Sequence, residues 1–176
     1  MLISFNHKGI VILREIIGLM ACDKNYVISN KGKLPWHCPE EIAFYRNMIK
    51  NQIVIMGRKT FNEMPVSFSE EHTVIVFSRI FKSSPQVIFV SSLNELYDLK
   101  ELPEAKQCFM IGGGETASLF LKNNAIDRFY LSEIDGDYPG DIFFPINLLK
   151  HHPCVTYKRE SSFTVYCYDN LKERND

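Results

Sequence analysis

Two hydrophobic patterns alternate along the chain, and together they predict a sheet covered by helices. Short apolar runs without a polar face predict buried strands, whereas apolar residues three or four positions apart predict helices. Strands are expected at 15–22, 53–56, 74–77, 87–90, 108–111, 129–134, 154–159 and 163–169. Helices are expected at about 39–50, 92–100 and 115–122, with a further short helix starting after Gly57.

This alternation predicts an α/β fold in a single domain. Strands that are buried on both faces and separated by helices indicate a mostly parallel, twisted central sheet of about eight strands, flanked by about four helices. The last two strands are joined by a short polar turn near Glu160–Ser162, which predicts an antiparallel hairpin at one edge. Ligands of such sheets bind at the carboxyl ends of the strands, so functional residues are expected directly after strands or at helix starts.

Composition narrows the possible partners. The 176 residues fit one domain, and the net charge of -1 with mixed signs argues against a nucleic-acid or membrane partner. Residues 1–14 contain Lys8, Gly9 and Arg14, so they are expected to form neither a signal peptide nor a membrane span. The five cysteines show no C-x-x-C spacing and predict reduced thiols in a cytoplasmic protein without a metal site. They are Cys22, Cys38, Cys108, Cys154 and Cys167.

Glu41 lies in the first turn of the first predicted helix, close to its apolar stripe. Pro39 suits a first helical turn, and Ile42, Tyr45 and Ile49 are spaced as one helical face. Glu41 precedes Tyr45 by one turn and therefore leans towards the edge of that stripe. Two interpretations are open. Glu41 is either an exposed acid that complements the helix dipole, or a carboxylate in an apolar cleft, where burial raises its pKa and suits it to act as an acid or a hydrogen-bond anchor.

The segment before this helix is long and has no regular hydrophobic pattern. It runs from Asp23 to Lys33 and is followed by Leu34, Pro35 and Trp36, the only tryptophan of the chain. A loop of this length in a compact domain is usually functional or mobile. Trp36 is therefore expected either to close the edge of the core or to contribute to a ligand site beside the loop.

Three turns with anion-binding character each follow a predicted strand. Gly57-Arg58-Lys59-Thr60 offers backbone donors, two cations and a hydroxyl at the start of a short helix. Gly112-Gly113-Gly114 permits close backbone approach to a ligand, although it does not match the G-x-G-x-x-G fingerprint. Ser78-Arg79 adds a hydroxyl and a cation. Together these turns predict a ligand with several phosphates, such as a dinucleotide that carries an extra one.

Five segments resemble the dihydrofolate reductase family in their order and spacing. They are Val27-Ile28, Leu34-Pro35-Trp36, Ile55-Met56-Gly57-Arg58-Lys59-Thr60-Phe61, Ile111-Gly112-Gly113-Gly114 and Gly140-Asp141-Ile142-Phe143-Phe144-Pro145. No single motif is decisive, but the ordered set is specific and extends from about Glu15 to the C-terminal hairpin. The resemblance implies a reductase-like domain at 15–176, preceded by an N-terminal extension of unknown role at 1–14.

The resemblance implies a pterin pocket built around one acid. Glu41 falls at the position of the family's only ionisable group in that pocket, which binds the 2-amino group and N3 of the ring. Trp36 would hold an ordered water between this acid and the pterin. Ser132, where the family usually has threonine, would support the acid and a second water. The apolar walls would be formed by Leu19, Ala21, Leu34, Ile42, Tyr45, Met64, Phe68 and Ile111.

The resemblance also implies NADPH as the cofactor. Arg58, Ser78 and Arg79 look like the clamp on the 2′-phosphate that selects NADPH over NADH, and Lys59 and Thr60 look like pyrophosphate contacts. In relatives a cis peptide bond joins the residues at Gly112 and Gly113. The segment from Asp23 to Trp36 resembles the mobile loop that closes over the nicotinamide. The remaining implied cofactor contacts are Ala21, Ile28, Gly57, Gly112, Gly113, Gly114, Glu115 and Thr116.

The implied reaction is the reduction of 7,8-dihydrofolate to tetrahydrofolate. Hydride passes from C4 of the nicotinamide to C6 of the pterin and N5 is protonated, while the protein supplies alignment and a dry pocket. Glu41 fixes the ring and biases its protonation, and the proton arrives through water because the family's acid does not reach N5. The resemblance further implies a cytoplasmic monomer that binds antifolate inhibitors.

One contact of the family is missing from this chain. Relatives anchor the carboxylate of the folate glutamate tail with an arginine just before the strand that ends in Ser-Arg. Counting back from Ser78 places His72 there, and counting forward from Met64 places Glu71 there, so a bidentate arginine contact is absent. A histidine replaces it only partly and only when charged. Arg46, on the outer side of the first helix, is a second candidate for this contact.

Binding of the tail is therefore predicted to be weak or dependent on pH. The substitution His72→Arg should lower KM for dihydrofolate, because it restores a permanent fork-shaped cation. An unchanged KM, or tight binding of dihydrofolate by the wild-type protein at alkaline pH, would contradict this prediction.

Smaller departures concern the cofactor loop and the N-terminus. Ser29 stands where relatives usually have glycine, and Ala117 replaces a common aromatic residue near the cofactor. Both positions can influence loop motion or cofactor packing, and neither bars the chemistry. The first 14 residues have no counterpart in the family, and two interpretations are open: an added edge strand, or a misassigned start.

Two other functions are compatible with parts of the sequence. A pyrimidine reductase of riboflavin synthesis shares the fold and the NADPH turns, but it would lack the Leu-Pro-Trp loop followed by an acid. A non-catalytic NADPH-binding sensor of the same fold is favoured by the missing tail arginine. It is disfavoured by the presence of Glu41, Trp36 and Ser132.

Overall fold

An eight-stranded sheet organises the molecule. The computed structural model describes residues 3–6, 9–12, 14–80, 86–100, 102–103 and 106–172. Its strands are β1 (Ile3–Asn6), β2 (Gly9–Ile12), β3 (Ile16–Asp23), β4 (Val27–Ser29), β5 (Ile53–Gly57), β6 (Thr73–Phe77), β7 (Val87–Val90), β8 (Cys108–Gly112), β9 (Arg128–Ile134), β10 (Ile142–Phe143), β11 (Cys154–Arg159) and β12 (Phe163–Tyr168). Its helices are α1 (Pro39–Ile49), α2 (Arg58–Asn62), α3 (Phe68–Glu71), α4 (Leu93–Tyr97) and α5 (Gly114–Lys122), and Ile146–Leu148 forms a 3-10 helix.

The order of strands in the large sheet is β11-β12-β9-β3-β8-β5-β6-β7. All neighbours from β9 to β7 run parallel, whereas β12 is antiparallel to both β9 and β11. The predicted α/β fold, with a mostly parallel sheet and an antiparallel edge hairpin, is thus confirmed. Because β8, β5 and β6 are adjacent and parallel, their carboxyl ends lie side by side at one edge of the sheet.

Both faces of the sheet are buried, since successive side chains of a strand point to opposite faces. Ile16 of β3 belongs to an apolar cluster that contains Phe120 of α5, whereas the next residue, Ile17, belongs to a second cluster that contains Ile49 of α1. Helices therefore cover both faces, which explains why the strands appear in the sequence as continuous apolar runs.

The structure departs from the sequence prediction where elements are short. The stretch at 23–33 is not wholly irregular, because β4 pairs with β10 and Asn30 bridges Lys33. Of the helix expected at 92–100, only the residues of α4 are helical. The short helix α3 was not expected, and with it the described residues form five α-helices, where about four were predicted. Elements of two to five residues show no hydrophobic period of their own, so the pattern could not resolve them.

The N-terminal segment forms a small sheet of its own. Strands β1 and β2 pair with each other, and the described residues of this segment do not join the large sheet. The described residues of this segment therefore add no edge strand to the large sheet, and that interpretation of the segment is wrong.

All five cysteines are free thiols, as predicted. None of the described helices combines the length and the apolar character that crossing a bilayer requires.

Candidate active site

A large cleft opens between α1 and the turns that follow β5, β6 and β8. Its volume is about 2210 Å³, well above the roughly 300–1,000 Å³ of a pocket for one small ligand. The cleft therefore has room for two ligands side by side. It lies at the carboxyl edge of the parallel strands, where the topology predicts ligand binding.

Most of the residues selected from the sequence line this cleft. Besides Glu41, the ten candidate substrate contacts do so, namely Leu19, Ala21, Leu34, Ile42, Tyr45, Arg46, Met64, Phe68, His72 and Ile111. The lining candidates for the cofactor are Ala21, Ile28, Gly57, Arg58, Lys59, Thr60, Ser78, Arg79, Gly113, Gly114, Glu115 and Thr116. Gly112, Trp36 and Ser132 are buried and do not form part of its surface.

Glu41 is the buried carboxylate of the cleft. It lies in the first turn of α1, yet only 5% of its surface is exposed. Burial raises the pKa of this carboxyl above its ordinary value, and the Ser132 hydroxyl opposes the shift only partly. The structure therefore favours the apolar-cleft interpretation of Glu41 over that of an exposed acid.

Besides Nδ1 of His72, two buried side-chain polar groups have no hydrogen-bond partner among the described residues. They are the Nε1–H of Trp36 and the Oγ of Ser132. Ser132 of β9 lies opposite Ala21 of β3, and Trp36 packs edge-on against Tyr138, with ring centroids 5.7 Å apart. Buried polar groups normally bond either to protein or to ordered water. Both atoms therefore suit contacts that water mediates.

The substitution Glu41→Gln is expected to stabilise the fold at neutral pH but not at acid pH. Because the folded-state pKa of Glu41 is raised, ionisation costs folding free energy once the pH rises above the pKa of the unfolded chain. Below that pH the carboxyl is protonated in both states, so the advantage of glutamine disappears. Thermal unfolding across this pH range should show a gain of about 0.5–2 kcal/mol at neutral pH, with roughly 2–4 °C in Tm per kcal/mol.

Glu40→Gln is the matched control for this stability measurement. Glu40 occupies the same helical turn as Glu41, but it is exposed. If the two variants gained the same stability as the pH rises, the cost could not be assigned to the burial of Glu41.

The turns after β5 and β8 pack closely together and leave little room for side chains. A Cβ built on Gly57 would lie 2.6 Å from Oγ1 of Thr116, and one on Gly113 would lie 3.1 Å from Oγ1 of Thr60. The Gly112–Gly113 peptide bond is cis, as the resemblance implied. Glycine backbone therefore faces the cleft at the start of α5, where free amides and the helix dipole favour an anion.

Three cations surround these turns. Lys59 forms an exposed ion pair with Glu115, with Nζ and Oε1 2.8 Å apart, and this contact lowers the pKa of Glu115. Arg58, at the start of α2, is half-buried, and Arg79, after β6, is exposed. Neither arginine forms an ion pair with another described residue. Both guanidinium groups are therefore available to an anionic ligand.

The hydroxyl of Ser78, which the resemblance assigns to the 2′-phosphate clamp, forms hydrogen bonds within its own turn. Ser78 is buried, and its Oγ donates to the carbonyl of Ile80 at 2.8 Å and accepts from the amide of Ile80 at 3.1 Å. These bonds shape the turn that carries Arg79. Ser78 thus holds Arg79 in place, and a ligand would have to compete with Ile80 for the hydroxyl.

Asp23, which sequence reasoning did not select, fixes the start of the loop beside the cleft. Its side chain is fully buried. Oδ1 accepts from the amides of Asn25 and Val27 at 2.9 and 2.8 Å, and Oδ2 accepts from the amide of Tyr138 at 3.0 Å. The carboxylate therefore ties this loop to the segment after β9.

Asp141 holds the next part of the same loop. Both of its carboxylate oxygens accept from the amide of Lys31 at 3.1 Å, and its own amide donates to the carbonyl of Ser29 at 3.0 Å. Asp141 directly precedes β10, which pairs with β4. These bonds connect residues more than 100 positions apart, so spacing along the sequence gave no signal for them.

His72 lines the cleft but is poorly suited to replace a tail-binding arginine. Its side chain is only 6% exposed, and its ring packs on Phe68 with centroids 4.5 Å apart. Burial lowers the pKa of His72, and the nearby Glu71 carboxylate opposes this shift only in part. The neutral form is therefore favoured at neutral pH. The predicted effect of His72→Arg on KM stays a prediction.

Several other residues that sequence reasoning missed also line the cleft. They include Met20, Lys31, Lys50, Phe77, Ile80 and Asp141. Lys50 follows Ile42 and Arg46 at intervals of four residues, so the helical stripe could have revealed it. Whether the side chains of the other residues face the cleft depends on how separate elements pack against each other, which the sequence pattern does not show.

The sequence matches a family model described as dihydrofolate reductase over residues 15–166. It is similar to the dihydrofolate reductase of Bacillus subtilis strain 168, with 32% identity over 127 residues that cover 72% of this chain and 73% of the relative. It is also similar to dihydrofolate reductase type A13 of Escherichia coli, with 30% identity over 155 residues, or 88% and 92% of the two chains. Dihydrofolate reductase type 6 of Proteus mirabilis is 32% identical over 130 residues, or 73% and 81% of the two chains. The chain belongs to the dihydrofolate reductase family.

Proposed function

We propose that this protein reduces 7,8-dihydrofolate to tetrahydrofolate with NADPH as the hydride donor. The observation that carries the proposal is the buried Glu41 carboxylate, in a cleft that also contains glycine-rich turns and two arginines without an ion pair to any described residue. The names of the related proteins supply the substrate. Catalysis would depend on alignment and on exclusion of water, since hydride transfer itself belongs to the cofactor.

Glu41 would orient the pterin ring. Its carboxylate would accept hydrogen bonds from the 2-amino group and N3, and such charge-assisted bonds are strong in a site with little water. Leu19, Tyr45 and Ile111 would form apolar walls that exclude water from the ring. Glu41 would bias the ring towards protonation, and the proton would reach N5 through water. The unpartnered polar groups of Trp36 and Ser132 support this arrangement.

The cofactor would occupy the turns after β5, β6 and β8. When bound, NADPH supplies the hydride. Arg58 and Arg79 would bind its 2′-phosphate, and Thr60 and Lys59 would bind the pyrophosphate together with the backbone of the glycine turn. The Lys59–Glu115 ion pair is exposed, so releasing Lys59 for this contact costs at most about 1 kcal/mol.

Asp141→Ala is expected to lower kcat/KM for dihydrofolate about tenfold, comparable to one lost charge-assisted hydrogen bond. The variant loses both contacts to the Lys31 amide, which hold the loop against the cleft. Asp141→Asn, which keeps an acceptor, should retain more activity. Asp169→Ala is the matched control, because Asp169 is exposed and pairs with Arg128 away from the cleft. Equal losses in the Asp141→Ala and Asp169→Ala variants would contradict a role for the loop.

One assay separates the proposed function from its alternatives. Loss of NADPH absorbance with dihydrofolate as substrate, abolished by methotrexate, would support the reductase. Binding of NADPH without turnover would favour a sensor. Turnover of a pyrimidine intermediate but not of dihydrofolate would favour the reductase of riboflavin synthesis. The glycine-rich turns and the arginines serve all three functions, so only the substrate decides between them.

The domain and location of the enzyme are part of the same proposal. Residues 15–176 would form the reductase domain, and residues 1–14 have no assigned role. We propose a cytoplasmic monomer that binds neither nucleic acid nor membrane, and light scattering of the purified protein tests the oligomeric state.

A further inference from the structure

Trp36 is not held in place by its own backbone. It lies in the segment 34–37, between the Asn30–Lys33 bridge and the start of α1, and these four residues form no backbone hydrogen bond with a described residue. The side chain of Trp36 is buried, and its Nε1–H has no partner in the described part of the chain either. The orientation of the indole must therefore come from the side chains that pack against it.

Tyr138 provides the indole with a defined aromatic contact. The two rings meet edge-on, with centroids 5.7 Å apart and an angle of 65° between the ring planes. In this arrangement the positive edge of one ring approaches the negative face of the other, which favours one mutual orientation beyond what apolar contact alone would do. No other aromatic ring that the structure describes pairs with Trp36.

Three separate contacts hold Tyr138 itself in place. Its amide donates to Oδ2 of the buried Asp23 at 3.0 Å, and its hydroxyl donates to the carbonyl of Asp135 at 3.3 Å. Its ring lies against Gly136, since a Cβ built on that glycine would lie 2.7 Å from Cε2 of the ring. The ring of Tyr138 is therefore fixed on its own turn, whereas Trp36 depends on packing.

Strand β3 connects this aromatic contact to the walls of the cleft. Asp23, which binds the amide of Tyr138, is the last residue of β3, and the same strand carries Leu19 and Ala21 into the cleft. The position of Tyr138, and through it that of Trp36, is thus tied to the strand that is proposed to face the pterin.

We infer that Tyr138 is a positioning residue of the proposed reaction. Its ring keeps the indole of Trp36 in the orientation in which the Nε1–H bonds the water proposed to lie between Trp36, Glu41 and the pterin. The inference rests on the proposed function, because the pterin and this water belong to it. Tyr138 does not line the cleft, so it acts through Trp36 and not by contact with a ligand.

A positioning role in proton delivery has a distinctive pH dependence. At neutral pH the reaction depends on the ordered water, whereas at acid pH the substrate is already protonated in solution. Loss of the Tyr138 ring should therefore slow hydride transfer more at neutral pH than at acid pH. A general disturbance of the fold would slow the reaction at both.

The decisive experiment measures hydride transfer and the fluorescence of Trp36 in Tyr138→Leu. This variant removes the ring but keeps apolar bulk and the backbone bond to Asp23. The rate should fall roughly threefold to tenfold at neutral pH, the usual size of the effect of one aromatic pair. Because Trp36 is the only tryptophan, the emission of the protein should shift to longer wavelengths, and acrylamide should quench it more readily.

Two variants control for the loss of a tyrosine. Tyr138→Phe keeps the ring and loses only the hydroxyl contact with Asp135, so it should retain the emission of the wild type and most of the activity. Tyr157→Leu is the matched control, because the exposed Tyr157 meets Tyr130 edge-on with centroids 4.8 Å apart and does not line the cleft. It should equal the wild type in both measurements.

Unchanged emission and quenching of Trp36 in Tyr138→Leu would overturn the inference, and so would a loss of rate that is equal at neutral and acid pH. If Tyr138→Leu did not fold, Tyr138→Met would provide the same test with a flexible apolar side chain. If the wild-type protein did not reduce dihydrofolate, the proposed function would fail instead. The emission of Trp36 in the same variants would still decide whether Tyr138 holds the indole.

Discussion

Glu41→Gln should lower the rate of dihydrofolate reduction at neutral pH by roughly 100-fold to 10,000-fold, the usual range for a positioned acid–base group. Glutamine has nearly the same shape as glutamate, so the variant keeps the packing of the cleft and removes the charge. An ionised carboxylate near the pterin favours the protonated ring, because opposite charges stabilise each other strongly where water is excluded. Glutamine cannot provide this stabilisation.

The loss should shrink as the pH falls. At acid pH the substrate is already protonated in solution, so it no longer needs the carboxylate to acquire its proton. The raised pKa of Glu41 adds to this convergence, because the wild-type carboxyl itself begins to lose its charge as the pH approaches that pKa. Hydride-transfer rates measured from acid to alkaline pH should therefore differ most between wild type and variant at neutral pH and above.

Two variants control for nonspecific effects of the substitution. Glu41→Asp keeps the charge and shortens the side chain by one methylene, so it should retain much more activity than Glu41→Gln. Glu40→Gln removes an exposed carboxylate from the same helical turn and should behave like the wild type. If Glu41→Gln matched the wild type at every pH, the role assigned to Glu41 would be wrong.

The hydrophobic pattern was sufficient to predict the large sheet because its strands are buried on both faces. Residues 53–56 form an uninterrupted apolar run, and each of these side chains is completely buried. The pattern failed for β4 and β10, which have three and two residues and stabilise each other. Such short strands are defined by their partner, and the partner is more than 100 residues away.

In the candidate site, too, the sequence did not predict features that depend on residues far apart in the chain. The position of Glu41 at the edge of an apolar stripe left two interpretations open, an exposed acid and a carboxylate in an apolar cleft, and the burial of the side chain favours the second. The contacts of Asp23 and Asp141 were not predicted, because each joins segments that come together only in the folded chain. The bonds of the Ser78 hydroxyl to Ile80 were not predicted either, because they depend on the exact shape of one turn. The residue types therefore indicated which groups could bind a ligand, but not which of these groups already form hydrogen bonds within the protein.

The arginines after β5 and β6 provide the second large expected effect. The double variant Arg58→Gln/Arg79→Gln should lower kcat/KM for NADPH roughly 100-fold to 1,000-fold, since a hydrogen bond to a charged group contributes about 1.5–3 kcal/mol. Activity with NADH should change little, because NADH lacks the 2′-phosphate. Both arginines lack an ion-pair partner among the described residues, so the 2′-phosphate would not have to displace a carboxylate. Steady-state kinetics with the two cofactors measures the change in preference.

Lys59→Gln separates recognition of the 2′-phosphate from general attraction of anions. Lys59 bridges the turns after β5 and β8 through Glu115, and the pyrophosphate proposed to bind there is common to NADPH and NADH. Loss of the Lys59 side chain should therefore weaken the binding of both cofactors to a similar extent and leave the preference for NADPH unchanged. If Arg58→Gln/Arg79→Gln also reduced activity equally with both cofactors, the arginines would act only through the net charge of the cleft. In that case the selection of NADPH would have to come from another part of the cleft.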